Sequence, residues 1–426
     1  MFLWALMGML TGLLVGLIPG AGPFVAIALS YPFLAQLDPA TIMLFYISVL
    51  IATNYTNSVT AILYGIPGDA AAISTAKDGH RLFRKGFGSV AISSNAIAST
   101  IGVFVTIIAF ALLLPNIMDV FKFYNSIFQV AIISLCLLLI VLFNKQNKFV
   151  SILLFLFGGL LAKIGIDPVT FETFGTFGIT YLTLGIPFST VMIGLYIWPE
   201  ILKMKFQKVS QAKDINKFVI GKQIWSSSLL GSFVGFWSGL IPGVTNILGS
   251  YASAKLVKKY FKLSAHKSIA AAEAANNSGA LSSLLPLLIL AIPITGSEVL
   301  VYYLMINTGF QFNTQTAVEI LSEIVYIIPV ITLICFYISW HEFNLLGKVA
   351  YVYKKYKNYV NAALLAIISL VSMSVFPFKV YFMICLLVLM ILGFFIKRWD
   401  TTPIIYGFFL SDLFYENIVR TIIILS

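Results

Sequence analysis

The sequence predicts an all-α polytopic membrane protein made of two inverted-topology repeats with broken helices or re-entrant hairpins, about 11–14 membrane segments in all. Three observations predict it: a composition with too few charges for an aqueous surface, apolar runs of spanning length, and a pair of Pro-bearing marks that occurs twice in the same order.

Hydrophobic residues make up 60% of the 426 positions and charged residues 10%, and the mean hydropathy is +0.97. Soluble domains carry roughly 25% charged residues, so most of this surface faces lipid. A helix needs about 20 apolar residues to cross a bilayer. Such runs occupy residues 1–18, 42–65, 90–114, 125–143, 150–164 and 179–198. They continue at 229–241, 278–305, 320–340, 359–376, 380–396 and 403–425. Shorter pieces at 24–35 and 245–257 read as re-entrant or interrupted segments. A transmembrane β-barrel needs short strands of alternating polarity, whereas runs such as LLPLLILAIP are apolar on every face. The first run lacks a basic flank and a small-residue cleavage pattern, which predicts a retained helix.

The motif GLIPG occurs at residue 16 and again at residue 239, an offset of 223. A second mark follows each copy, Gly65-Ile66-Pro67-Gly68 and then Ala291-Ile292-Pro293, at an offset of 226 between Pro67 and Pro293. The chain therefore divides into a first membrane repeat (1–208), a basic cytoplasmic linker (209–222) and a second membrane repeat (223–426). Charge sets their orientation. In the first half, basic residues (Lys77, Arg81, Arg84, Lys85) follow the second mark, while the link at 36–39 between the marks has none. In the second half Lys255, Lys258, Lys259, Lys262 and Lys267 lie between the marks, and residues 307–316 after them are uncharged. Basic loops stay in the cytoplasm, so equivalent loops face opposite sides. The formal net charge of +11 belongs to these loops and to anionic lipid headgroups; a nucleic-acid partner is not expected.

Proline inside a helix removes a backbone donor, and at membrane depth the freed groups need protein, water or a solute. Four Pro-bearing breaks, at Pro19-Gly20, Pro67-Gly68, Pro242-Gly243 and Pro293, predict opposed half-helix ends around one cavity. Polar residues gather before the second break of each half: Asn54, Thr56, Asn57 and Ser58, then Glu273, Asn276, Asn277 and Ser278. Matching neutral clusters suit a hydrogen-bonding lining, although single Thr or Asn residues also serve ordinary helix contacts. Asp69, Glu273 and Glu298 are the candidate carboxylates for coupling a cation, Na⁺ or H⁺; the other reading for Asp69 and Glu298 is an interfacial helix end. No other cofactor is expected. Cys136, Cys335 and Cys385 each stand alone in an apolar run, and His80, His266 and His341 are scattered. That pattern predicts neither a metal site nor a catalytic constellation, so an enzyme is not expected.

Further stretches add a resemblance. GLIPGAGPFVAIALSYPF, SVTAILYGIPGDAAAISTAKDGHRLFRKG, GGLLAKIGIDP, LGIPFSTVMIGLYIWPEIL, AAEAANNSGALSSLLPLLILAIP and WDTTPIIYGFFLSDLFYENIVR resemble the large permease subunit of the tripartite tricarboxylate transporter family. The resemblance implies an ion-gradient-driven secondary transporter that imports small organic anions, di- or tricarboxylates. It also implies a bacterial inner-membrane location, a small membrane subunit and a periplasmic solute-binding protein as partners. Carried over by position, the pocket takes in Pro19, Gly20, Gly22, Asn57, Ser58, Pro67, Gly68, Pro242, Gly243, Asn276, Asn277 and Pro293. Thr56, Asn57, Asp69, Asn246 and Glu298 stand where the family has glycines or other small residues. The alternative reading is a stand-alone carrier of another anion, such as a phosphate-bearing or lipid-linked solute.

Overall fold

The computed structural model describes the chain except for residues 19–20, 66–70, 121–129, 132–133, 136–137, 139–145, 167–171, 204–223, 242–244, 262–263, 409–417 and 419–426. Two compact units interleave along it: Met1–Phe121 with Lys205–Val360, and Lys122–Met204 with Asn361–Ser426.

In the first unit the N-terminal run forms α1 (Phe2–Gly16), which stops at the first residue of the first mark. Gly22 caps α2 (Pro23–Leu34), whose first residue is proline, the position where a missing N–H costs nothing. At 12 residues this helix is about 18 Å long, too short to cross, as expected of segment 24–35. Asp38 then caps α3 (Pro39–Tyr64) by accepting from Thr41 N–H at 2.9 Å. Every residue of α3 from Ala40 to Tyr64 is buried, so its hydroxyls and amides are shielded from lipid by neighbouring helices. After the second mark come α4 (Ile73–Arg84) and the long α5 (Gly88–Val120).

The later chain segment repeats this order. α9 (Ile224–Leu240) and α10 (Thr245–Phe261) flank the second GLIPG copy. Behind them α11 (Ala265–Ser282) is buried throughout apart from His266. It turns at Ser283 into α12 (Leu284–Leu290), and after the Ile-Pro break come α13 (Gly296–Asn307), α14 (Thr314–Ile324) and α15 (Ile327–His341). The last two bend by 52° at their junction, so the run at 320–340 is not one straight span. α16 (Phe343–Lys355) closes the unit, and Tyr64 Oη donates to Gly347 O at 2.5 Å to hold it on α3.

In the second unit α6 (Lys148–Lys163) leads to a two-residue antiparallel pair, β1 (Gly165–Ile166) with β2 (Thr173–Phe174). The run at 179–198 is not continuous helix. Residues 180–184 make a 3₁₀ turn, Gly185 adopts φ 74°, and helix starts only after Pro187. The left-handed glycine and the proline end one helical path and begin another within an apolar run. From there α7 (Phe188–Val191) widens through a π-helical turn at Met192–Ile197 into α8 (Trp198–Lys203). α18 (Lys379–Ile396) packs on that turn, following α17 (Lys357–Val375), which carries the boundary between the units. Helix resumes at 402–408.

Among the described residues three helices are long and apolar enough to cross a membrane singly: Pro39–Tyr64, Gly88–Leu114 and Lys379–Ile396, with the bent α14–α15 pair as a fourth. The chain is an all-α, multi-pass membrane protein. Runs 125–143 and 403–425 fall largely outside the described residues.

The two second marks begin alike. Gly65 ends α3 at φ 67° and Ala291 ends α12 at φ 56°, both left-handed and 226 residues apart. A side chain in that region costs about 1–2 kcal/mol. Ala291→Gly is therefore expected to raise the unfolding midpoint in detergent. Gly65→Ala is expected to lower it, since its Cβ would also stand 2.9 Å from His80 Cδ2. A midpoint unchanged in both variants would refute the shared strain.

Candidate functional site

The two buried helices α3 and α11 carry most of the polar residues singled out in the sequence, and they meet. Asn54 Nδ2 donates to Asn277 Oδ1 at 3.4 Å, across 223 residues of chain. That separation equals the offset between the two GLIPG copies. Asn277 Nδ2 donates in turn to Glu273 O at 3.0 Å, one turn back on its own helix. The Glu273 carboxylate is 1% exposed and accepts from Thr75 Oγ1 on α4. One chain of contacts thus joins α3, α11 and α4.

A second arm lies on the neighbouring turn. Asn246, in the first turn of α10, donates through Nδ2 to Asn276 Oδ1 at 2.6 Å. Asn276 Nδ2 is buried and has no acceptor among the described residues; neither has the buried Ser58 hydroxyl a partner there. Leaving a buried amide or hydroxyl unpaired costs about 1–3 kcal/mol, so these atoms keep hydrogen-bonding capacity to spare. Asn57 is fully buried on α3, and its carbonyl accepts from Thr60 Oγ1 at 2.8 Å.

Other expected residues have local work. Thr56 bonds its own helix at Ala52 O (3.1 Å), on the face where Gly16 of α1 presses against α3. Ser278 Oγ donates to Ser232 O at 2.8 Å and lies 2.8 Å from Thr106 Oγ1, tying α11 to α9 and α5. Gly22 caps α2, and Pro293 is buried in the break between α12 and α13. Glu298 closes that same break. It takes Ser283 Oγ at 2.6 Å and the N–H groups of Ile294 and Thr295, the latter at 3.1 Å, while Thr295 Oγ1 accepts from Glu298 N. This reciprocal box satisfies the amides that lead into α13 and one donor of its first turn. Glu298→Ala is expected to cost about 1–3 kcal/mol of stability, read as a lower unfolding midpoint; Glu298→Gln, which keeps an acceptor, recovers part of it. Equal stability of Glu298→Ala and the parent would remove the capping role.

Pro19, Gly20, Pro67, Gly68, Asp69, Pro242 and Gly243 lie outside the described residues. Thr75 was not anticipated, because it sits in a stretch whose basic residues read as a surface loop. The signal was present: Thr75, Ala76, Asp78 and Gly79 form the buried face of α4, flanked by its cations. Asp78, also buried, pairs with Lys258 of α10 at 2.5 Å and with Arg81 at 3.4 Å. Among the described residues no group of three or more His, Cys, Asp or Glu side chains comes together as a metal site would.

In chemical terms the cluster offers neutral donors and hydroxyls beside one buried carboxylate. Neutral donors hold an oxyanion without the long retention that a fixed cation imposes, which suits binding followed by release.

The family model described as the tripartite tricarboxylate transporter TctA family matches residues 2–406. An uncharacterised 52.8 kDa protein from the TAR-I ttuC′ 3′ region of Agrobacterium vitis is 28% identical over 99% of this chain and 87% of its own length. An uncharacterised protein of Methanocaldococcus jannaschii is 26% identical over 60% of this chain and 62% of its own. No solved structure matches significantly.

Proposed function

The chain belongs to the tripartite tricarboxylate transporter TctA family, and from that premise we propose that it is a secondary transporter importing di- or tricarboxylates across a bacterial inner membrane. A Na⁺ or H⁺ gradient drives it, and a small membrane subunit and a periplasmic solute-binding protein serve it. The observation that carries the reading is the contact of Asn54 with Asn277 beside the unpaired Asn276 amide, deep inside α3 and α11. Broken-helix transporters hold their anion near the midplane at half-helix N-termini, and this buried neutral donor cluster supplies further hydrogen bonds to such a solute. The site comprises Asn54, Asn57, Ser58, Asn246, Asn276, Asn277 and the breaks around Pro19, Pro67, Pro242 and Pro293. Glu273 is the coupling carboxylate, since its partner Thr75 lies on a helix of the other half.

An inverted repeat is supported by matching detail. Gly8, Gly12 and Gly16 of α1 press on α3, and Gly231, Gly235 and Gly239 of α9 press on α11, each pair offset by 223 residues. Helix contacts are exchanged between halves: α5 packs on α11 and α9, while α15 packs on α3 and α1. Each compact unit also draws one segment from each half.

The test is uptake into proteoliposomes of labelled di- and tricarboxylates under imposed Na⁺ or proton gradients. Accumulation that collapses when the gradient is dissipated is expected. Failure to take up any carboxylate, with the partner proteins supplied, would remove the reading.

A further inference from the structure

Beside the end of α3 lies a cleft of about 580 Å³ whose wall includes Gly65, Lys77, His80, Arg81, Arg84 and Lys85. Lys77, Arg81 and Arg84 recur at helical spacing along one stripe of α4, and Lys85 follows at its C-terminal cap. The buried face of α4 is engaged, Thr75 with Glu273 and Asp78 with Lys258. Among the described residues Lys77, Arg84 and Lys85 have no acidic partner, and Arg81 touches only Asp78, which Lys258 approaches more closely. Like charges three and four residues apart repel, so an anion in the cleft relieves a tension that the protein leaves standing. His80 is fixed by a contact of its Nδ1 with Ile62 O at 3.1 Å, and its ring lies against Gly65, where α3 stops and the break begins. The cleft therefore lies beside the C-terminal end of α3. At the equivalent place in the later segment, α13 (GSEVLVYYLMIN) carries no Lys, Arg or His.

We infer that the α4 cleft is a second, peripheral oxyanion site. It takes the multivalent carboxylate after the anion leaves the buried amide cluster, at one end of the path only. The inference rests on the transport reading above and adds to it a holding site built from charge instead of neutral amides. Carboxylate oxygens and an anionic lipid headgroup share the chemistry that Lys and Arg recognise, so the test must separate them.

Full-length protein in phosphatidylcholine nanodiscs is titrated calorimetrically with citrate. Two binding phases are expected, and the weaker falls steeply with added salt because exposed charges are screened. Arg84→Gln/Lys85→Gln should weaken that phase about tenfold, with the Arg84→Lys/Lys85→Arg variant restoring most of it. Asn277→Ala should remove the other phase and leave this one. An unchanged isotherm in the double Gln variant overturns the cleft site while leaving the transport reading intact. Loss of the salt-sensitive phase in nanodiscs containing phosphatidylglycerol assigns the cleft to lipid phosphate and overturns the soluble-anion assignment. Absence of both phases in the parent protein overturns the inference and the transport reading together.

Discussion

Asn277→Ala is expected to lower gradient-driven uptake by roughly ten- to a hundredfold while the protein still inserts and purifies as a monodisperse species. The substitution removes the acceptor of Asn54 Nδ2 and the donor to Glu273 O at one stroke. Each buried group left without a partner costs about 1–3 kcal/mol. With about 1.4 kcal/mol per factor of ten, one such loss in the solute-bound state lowers uptake by roughly ten- to a hundredfold. Asn277→Asp should be at least as damaging, because a carboxylate there repels both Glu273 and an incoming anion. Asn54→Ala should fall in the same direction, and the double alanine variant should lose less than the sum, since the two residues share one bond. Wild-type uptake by Asn277→Ala would show that the amide pair is only a helix contact.

The second large effect concerns the helix pairs that frame the site. A Cβ on Gly12 would stand 2.7 Å from Val49 O and 2.8 Å from Ala52 Cβ, and one on Gly235 would stand 2.5 Å from Ala275 Cα. Lipid supplies no hydrophobic drive between helices, so close backbone approach through small residues is what holds them. Gly12→Leu and Gly235→Leu should therefore yield no monodisperse protein in detergent. Gly12→Ala should cost about 1–3 kcal/mol, the usual range for overpacking. Leu10→Ala on the exposed side of α1 (Leu10 is 54% exposed) is the control, with a midpoint shift within about 0.5 kcal/mol. Normal yield of both leucine variants would mean that the helices are held apart in the membrane.

Much of this architecture could be read beforehand, because its causes are local. Runs 42–65 and 90–114 became α3 and α5 since uniform apolarity over 20 residues admits few other solutions in lipid. The polar clusters holding Asn54 and Asn277 were legible, but their contact was not, because it depends on how α3 and α11 pack. Run 179–198 misled, because hydropathy is silent about backbone angles: Gly185 and Pro187 interrupt it without adding polarity. The bend between α14 and α15 was hidden for the same reason. Thr75 and Asp78 were obscured by company, their buried faces masked by the cations beside them. Glu298 was legible as a buried acid but not as the cap of α13, since its partners, the Ile294 and Thr295 amides, depend on where the helix restarts.

The Asn54–Asn277 bond also bears on how the polypeptide is made. At ribosomal speeds of about 5–20 residues per second, the 223 residues between them take roughly 10–45 s to synthesise. Throughout that interval the newly inserted α3 holds an amide whose counterpart does not yet exist. Until α11 arrives the Asn54 amide needs water or another partner, since leaving it buried and unpaired costs about 1–3 kcal/mol.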